Sequence, residues 1–113
     1  MAPTANESWL VYAADEIIQK MTDSGEDSLA SRERLVHILW VVDCGMRNAG
    51  DLAQAELLHT GYKLEASQIS HDLGLLVSHE LFLLPEEQLA KQYFEKFEAV
   101  CTEIRAISPI TGS

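Results

Sequence analysis

Basic residues are scarce in this chain: eight lysines and arginines stand against 18 aspartates and glutamates, which leaves a net charge of −10. They form no basic stripe, because glutamates alternate with the three bases of the predicted last helix, Lys91, Lys96 and Arg105. A protein that binds the phosphate backbone needs such a stripe or patch. We therefore expect no direct binding of nucleic acid and no attraction to an anionic membrane surface.

Long apolar runs are missing as well. No segment approaches the ~20 apolar residues that a helix needs to span a bilayer. The first eight residues, MAPTANES, lack the basic start and the apolar core of a signal peptide. These absences predict a soluble, cytoplasmic protein without a membrane partner.

Only two cysteines are present, Cys44 and Cys101, with no CxxC spacing. One disulfide would use both, but two reduced thiols are the expectation for a cytoplasmic protein. A nucleophilic cysteine needs a depressed pKa and a nearby base. Asp43 would instead raise the pKa of the Cys44 thiol, and His37 is about two helical turns away. We interpret Cys44 as a packing residue at a helix end.

Motifs for catalysis and cofactor binding are also missing. The phosphate-binding patterns GxGxxG and GxxxxGK[ST] and the serine-hydrolase motif GxSxG do not occur. No HxxxH or HExxH spacing joins the four histidines, His37, His59, His71 and His79. We predict histidines that are exposed or half-buried, no metal, no cofactor and no enzymatic activity.

The sequence does contain clear helical periodicity. Its 113 residues, 47% of them apolar, suit one domain with a modest core. Apolar residues at three- and four-residue spacing predict five helices, over about 8–21, 28–44, 52–59, 64–82 and 85–107. Ser8 and Ser28 would cap the first two helices, and Gly45 would end the second, which we expect to be the most buried. The prediction is an all-α domain spanning 1–113, with a loose arm at 1–7 and a frayed tail at 108–113.

The acidic residues are unevenly distributed. Residues 1–28 hold six acids against Lys20 alone, which is half of the net charge. Such a surface steers a basic partner toward the protein, although charge that serves only solubility produces the same pattern. Our first candidates for partner binding are acids of the first helix and the following loop, Asp15, Glu16, Asp23, Glu26 and Asp27. The second candidates are Glu86 and Glu87, with an apolar patch at the centre of the surface supplying affinity.

Over about residues 31–107 the chain resembles the acidic, all-helical family of DNA-mimic proteins. RERLVHILWVVDCG is similar to the family's buried helix, NAGDLA to its polar stretch, and LLPEEQ to the start of its last helix. The family's paired glycines are replaced here by CGM, and the aromatic segment that should follow is missing. The resemblance implies a non-enzymatic inhibitor that occupies a partner's DNA-binding surface. Small bacterial immunity proteins share this acidic, helical character.

These patterns predict a binding protein that docks on and neutralises a basic protein, either a toxin or a DNA-binding protein. The alternative is a structural module that forms a homodimer through exposed Trp9, Leu10 and Tyr12 of the first helix. A third class, a small enzyme that uses Cys44 or the histidines, has no supporting motif.

Overall fold

The secondary structure is helical throughout the computed structural model, which describes residues 3–107. Within these residues there are no strands, and one 3₁₀ turn, Glu26–Ser28, joins the first two helices. The six α-helices are α1 Ala5–Ser24, α2 Ser31–Ala49, α3 Ala53–Leu58, α4 Tyr62–Leu73, α5 Leu76–Leu83 and α6 Glu86–Ala106. The predicted all-α class is confirmed. The predicted tail at 108–113 lies outside the described residues.

The first helix begins earlier than predicted. Thr4, and not Ser8, is the N-cap residue, and its side chain accepts a hydrogen bond from the backbone N–H of Glu7 at 3.1 Å. This bond satisfies one of the N–H groups that the first turn of a helix leaves without a partner. Ser8 lies within the helix.

Residues 3–7 are attached to the fold through Asn6. Its buried side chain donates to Glu98 Oε1 at 2.7 Å and accepts from Arg105 at 2.8 Å, and both partners belong to α6. A buried amide with both ends bonded fixes the backbone that carries it. The predicted loose arm over 1–7 is therefore wrong for its described part.

The second helix also differs from the prediction at both ends. It begins after Ala30 and not after Ser28, which lies in the 3₁₀ turn, and the Glu33 side chain accepts from Ala30 N at 2.8 Å. It continues through Gly45 and ends at Gly50, whose φ of 74° is the left-handed conformation that favours glycine. Gly45 is buried, and a Cβ there would lie 3.0 Å from the carbonyl oxygen of Asp51. Gly45 therefore permits close packing and does not end the helix.

The predicted fourth helix is two helices, which makes six where five were predicted. Gly74, with a φ of 73°, ends α4, and the N–H of Leu75 returns to the carbonyl of Ser70 at 2.8 Å. This pattern is a helix C-cap of the Schellman type. The chain changes direction there before α5 begins.

The core is built around α2, as expected. This helix contacts α1, α3, α4 and α6, and its apolar side chains are almost completely buried. Two contacts show that α1 and α2 are antiparallel: Lys20 pairs with Glu33 at 3.0 Å, and Glu7 lies 3.7 Å from Arg47. Because α2 covers only one side of α1, the opposite face of α1 is exposed. None of the helices within 3–107 is both long enough and apolar enough to cross a membrane.

Candidate protein-binding surface

The outward side of α1 is a continuous stripe with two halves. Positions three and four residues apart are neighbours on a helix, and these positions are all exposed: Val11, Tyr12, Asp15, Glu16, Gln19 and Asp23. The N-terminal half is apolar, with Val11 60% and Tyr12 73% exposed. The C-terminal half carries carboxylates. We call this stripe the α1 face.

Three of the predicted acids line one shallow groove on the α1 face. The acidic groove has a volume of about 530 Å³ and is lined by Asp15, Glu16, Gln19, Lys20, Asp23 and Ser24. The amine of Lys20 pairs with Glu33 of α2 at 3.0 Å. Within residues 3–107 no lysine, arginine or histidine forms an ion pair with the three carboxylates of this groove. Their negative charge faces solvent.

The other two first candidates, Glu26 and Asp27, lie on the 3₁₀ turn that packs against α1. Both are exposed. Glu26 is 3.4 Å from the guanidinium of Arg34, so part of its charge is compensated. The first five candidates thus occupy one helix and the turn that follows it.

The second candidates lie on a different part of the molecule. Glu86 accepts a hydrogen bond from the hydroxyl of Tyr62 at 3.3 Å, and Glu87 lies 3.6 Å from Lys91. Burial raises the pKa of the Tyr62 phenol, and the charge of Glu86 raises it further. Both residues belong to the first turn of α6, and these contacts are with α4 and α6. They are therefore not part of the α1 face.

A second groove adjoins the apolar half of the α1 face. This apolar groove has a volume of about 440 Å³ and is lined by Pro3, Glu7, Ser8, Val11, Tyr12, Asp43 and Arg47. The guanidinium of Arg47 lies 5.2 Å from the ring centre of Phe94 and 5.5 Å from that of Phe97. These are cation–π distances. Sequence reasoning missed this groove because its residues come from the start of α1 and the end of α2.

The polar groups of the apolar groove are fixed by one another. Arg47 Nε donates to Asp43 at 2.8 Å, and the hydroxyl of buried Tyr93 donates to the other oxygen of the same carboxylate at 2.6 Å. Burial and the nearby charge of Asp43 both raise the pKa of the Tyr93 phenol, which keeps it protonated as a donor. The side chains of Asp43 and Arg47 are thus held in place by hydrogen bonds within the protein itself.

Only one of the three residues predicted to form a homodimer is freely exposed. Leu10 is 1% exposed and belongs to the core, so its assignment to an exposed surface is wrong. Trp9 is half-buried, with the guanidinium of Arg105 5.6 Å from its ring centre. Tyr12 remains exposed, and its apolar neighbour on the surface is Val11.

The histidines divide into two pairs. His71 is exposed and His79 is half-buried, as predicted, but His37 and His59 are buried at 9% exposure each, and for these two the prediction is wrong. His59 Nδ1 lies 3.3 Å from His37 Nδ1, and His59 Nε2 lies 2.9 Å from Glu65. Their 22-residue separation gives no sequence signal. Within residues 3–107 no group of three or more histidine, cysteine or acidic side chains is arranged to hold a metal ion.

Both cysteines are free thiols, as predicted. Burial raises the pKa of half-buried Cys44, and the negative charge of Asp43 raises it further. Burial, with the nearby carboxylate of Glu98, raises the pKa of Cys101 to about 12. Neither thiol has the depressed pKa of an activated nucleophile.

Comparisons with known proteins add no identity. No family model matches this chain, and neither the curated proteins nor the solved structures give a significant match. The resemblance to DNA-mimic and immunity proteins stays a prediction.

Proposed function

We propose that this protein is a non-enzymatic binding protein that docks on a basic protein through the α1 face and neutralises it. The observation that carries the proposal is the uncompensated charge of the acidic groove. Asp15, Glu16 and Asp23 face solvent with no paired base among the described residues, although Lys20 lies in the same groove. Three of the other candidate acids have a bonded neighbour: Glu26 pairs with Arg34, Glu87 pairs with Lys91, and Glu86 accepts from the hydroxyl of Tyr62.

Physical chemistry supports a role in partner capture. A cluster of carboxylates on one face concentrates the negative potential and accelerates encounter with a basic surface. Exposed ion pairs contribute little affinity each, because solvent screens them. A stable complex therefore also needs apolar contact, and the α1 face has exposed Val11 and Tyr12 beside its acids. An immunity-type or DNA-mimic-type inhibitor fits this combination of charge and apolar surface.

The test compares two variants with the same net charge. The site variant neutralises four α1-side acids, Asp15→Asn, Glu16→Gln, Asp23→Asn and Asp27→Asn. The matched control neutralises four acids elsewhere, Asp72→Asn, Glu80→Gln, Glu87→Gln and Glu95→Gln. Each change removes four negative charges, so any difference between the variants reports position and not total charge. Because Glu87 is in the control, the second candidate region is tested at the same time.

The measurement is capture from a lysate of the native host, followed by identification of the retained proteins. We expect the wild type and the control to retain a basic protein at about 0.1 M salt and to release it at about 1 M, where the screening length falls from roughly 10 Å to roughly 3 Å. The site variant should retain at least about tenfold less of it, which corresponds to about 1.4 kcal/mol. Equal retention by the site variant would place the binding surface elsewhere.

A further inference from the structure

We infer that the apolar groove receives one large apolar side chain from the basic partner, with lysines or arginines on the same partner surface meeting the acidic groove. This inference rests on the proposed function and names the chemistry that the partner must present. It assigns a separate task to each half of the α1 face. The acids attract the partner, and the apolar groove holds it.

The apolar groove has room for an aromatic or branched side chain, because its volume of about 440 Å³ is larger than that of any single side chain. Val11 and Tyr12 line the groove together with Arg47, whose guanidinium lies 5.2 Å from the ring centre of Phe94. Phe94 is itself exposed, so the apolar surface continues beyond the groove. Aromatic anchors in such depressions carry much of the affinity of protein interfaces.

Two of the charged side chains that line this groove, Asp43 and Arg47, are bonded to neighbours. Arg47 is bonded to Asp43 and lies near Glu7, while Asp43 also accepts from Tyr93. Ser8 and Tyr12 also line the groove. The occupant must leave their hydroxyls in contact with water, because burying an unbonded polar atom is costly. Because the side chains of Asp43 and Arg47 are already fixed by bonds and stacking, little side-chain entropy is lost when they are covered.

Charge decides between a basic partner and a second copy of this chain. An antiparallel pairing of two α1 helices centred on Val11 and Tyr12 would bring Glu7 of one copy beside Glu16 of the other. A parallel pairing would place Asp15 opposite its own copy. Both arrangements set like charges against one another. A partner that carries cations beside its apolar anchor would instead be attracted by Glu7, Asp15 and Glu16.

The spacing of the α1 face defines a probe. Glu16 lies four residues beyond Tyr12 and Asp23 eleven residues beyond it, which is about 6 Å and about 16 Å along the helix axis. Two synthetic helical peptides would carry lysines at three- and four-residue spacing on both sides of a central position. One peptide would have tryptophan at that centre and the other alanine. Their affinities for the full chain would be measured by fluorescence anisotropy.

We expect the tryptophan peptide to bind at least about tenfold more tightly than the alanine peptide, as for a buried aromatic anchor. The double substitution Val11→Ser with Tyr12→Ser should remove this difference and leave the affinity of the alanine peptide unchanged. Both side chains are exposed, so the fold should tolerate the change. The matched control, Leu64→Ser with Leu76→Ser, alters two equally exposed leucines elsewhere and should preserve the difference.

The other outcomes are distinguishable. Equal affinity of the two peptides, or a difference that survives the change at Val11 and Tyr12, would overturn the anchor groove and leave the acidic docking surface intact. Failure of both peptides to bind, or binding that is insensitive to neutralising Asp15, Glu16 and Asp23, would overturn the proposed function itself. A concentration-dependent dimer in sedimentation that the Val11 and Tyr12 change abolishes would identify the occupant as a second copy, which also overturns the inference.

Discussion

The contact between His37 and His59 restricts the protonation of the two imidazole rings. Their Nδ1 atoms are 3.3 Å apart, so one must donate and the other must accept. If both rings carried a second proton, two N–H donors would face each other. Burial lowers the pKa of His37, and the neighbouring His59 lowers it further. The nearby charges are Glu65, bonded to both His59 and Arg34, and Glu26, paired with Arg34.

We predict that acid destabilises the fold through His37. A histidine whose pKa is lower in the folded state binds more protons when unfolded, so the free energy of unfolding falls as pH drops below the unfolded value near 6.5. The slope contributed by one proton is at most about 1.4 kcal/mol per pH unit. Denaturant unfolding between about pH 7 and about pH 5.5 would measure it, above the range where most carboxylates titrate.

The variant His37→Gln should show a shallower dependence of stability on pH over this range. His71→Gln, which changes an exposed histidine, is the control and should keep the slope of the wild type. A His37→Gln slope equal to that of the wild type would show that His37 is not the group responsible. This dependence was not predictable from the sequence, since neither histidine has a partner at helical spacing.

Among the helices, α5 begins with a cap that comes from elsewhere in the chain. Its own N-cap residue, Leu75, has no side chain that can accept a hydrogen bond. Glu103 of α6 performs this task, with its two carboxylate oxygens accepting from Val77 N at 3.0 Å and Ser78 N at 3.1 Å. The negative charge also complements the positive end of the helix dipole.

We predict that Glu103→Gln lowers the free energy of unfolding by about 1–2 kcal/mol, which is the scale of a lost N-cap. The amide keeps one acceptor, but it loses the charge and turns an NH₂ donor toward backbone N–H groups. Glu95→Gln on the exposed side of the same helix should change stability by less than about 0.5 kcal/mol. Urea denaturation of both variants would test this, and equal effects would contradict a capping role for Glu103.

The helices themselves were largely predictable, and their boundaries were less so. Three- and four-residue periodicity located the helical segments, because burial of one face is a property of the local sequence. It missed the break at Gly74, since Leu73, Leu75 and Leu76 continue an apolar run across the glycine. It also misplaced the end of α2, because it interpreted Gly45 as a helix end. The glycine is needed there for the close approach of the Asp51 carbonyl, a contact that exists only in the folded protein.

For the whole molecule, the surplus of carboxylates acts against folding. With a net charge of −10, the compact state brings like charges closer together than the unfolded chain does. Within residues 3–107, Asp15, Glu16 and Asp23 have no paired base that would offset this repulsion. The proposed binding surface therefore lowers stability when no partner is bound.

We predict that moderate salt stabilises the protein and that the acidic groove contributes to this effect. Raising ionic strength from about 0.01 M to about 0.15 M shortens the screening length from roughly 30 Å to roughly 8 Å and should raise the melting temperature. The change should be smaller in a variant with Asp15→Asn, Glu16→Gln and Asp23→Asn. Thermal scans at both salt concentrations would measure it, with Asp72→Asn, Glu80→Gln and Glu95→Gln as the control of equal charge. A melting temperature that falls with salt would show that attractive pairs outweigh the repulsion.

Of the candidate site, only the surplus of acidic residues could be predicted from the sequence. Counting charges along the chain located an acid-rich first helix, because this count needs only the order of the residues and no knowledge of the fold. It could not separate Asp15, which has no paired base in the described part of the chain, from Glu87, which has Lys91 beside it. It also could not show that Leu10 is buried while Val11 is exposed, since that depends on where α2 packs.

Lys20 makes the α1 face dependent on a residue outside it. Lys20 lines the acidic groove, and its amine pairs with Glu33 of α2 at 3.0 Å. If that carboxylate were lost, the amine would be free to swing among Asp15, Glu16 and Asp23 and would compete with the partner's cations. Lys20 would thus be an internal competitor for the proposed binding surface, and its ion pair with Glu33 engages the amine elsewhere.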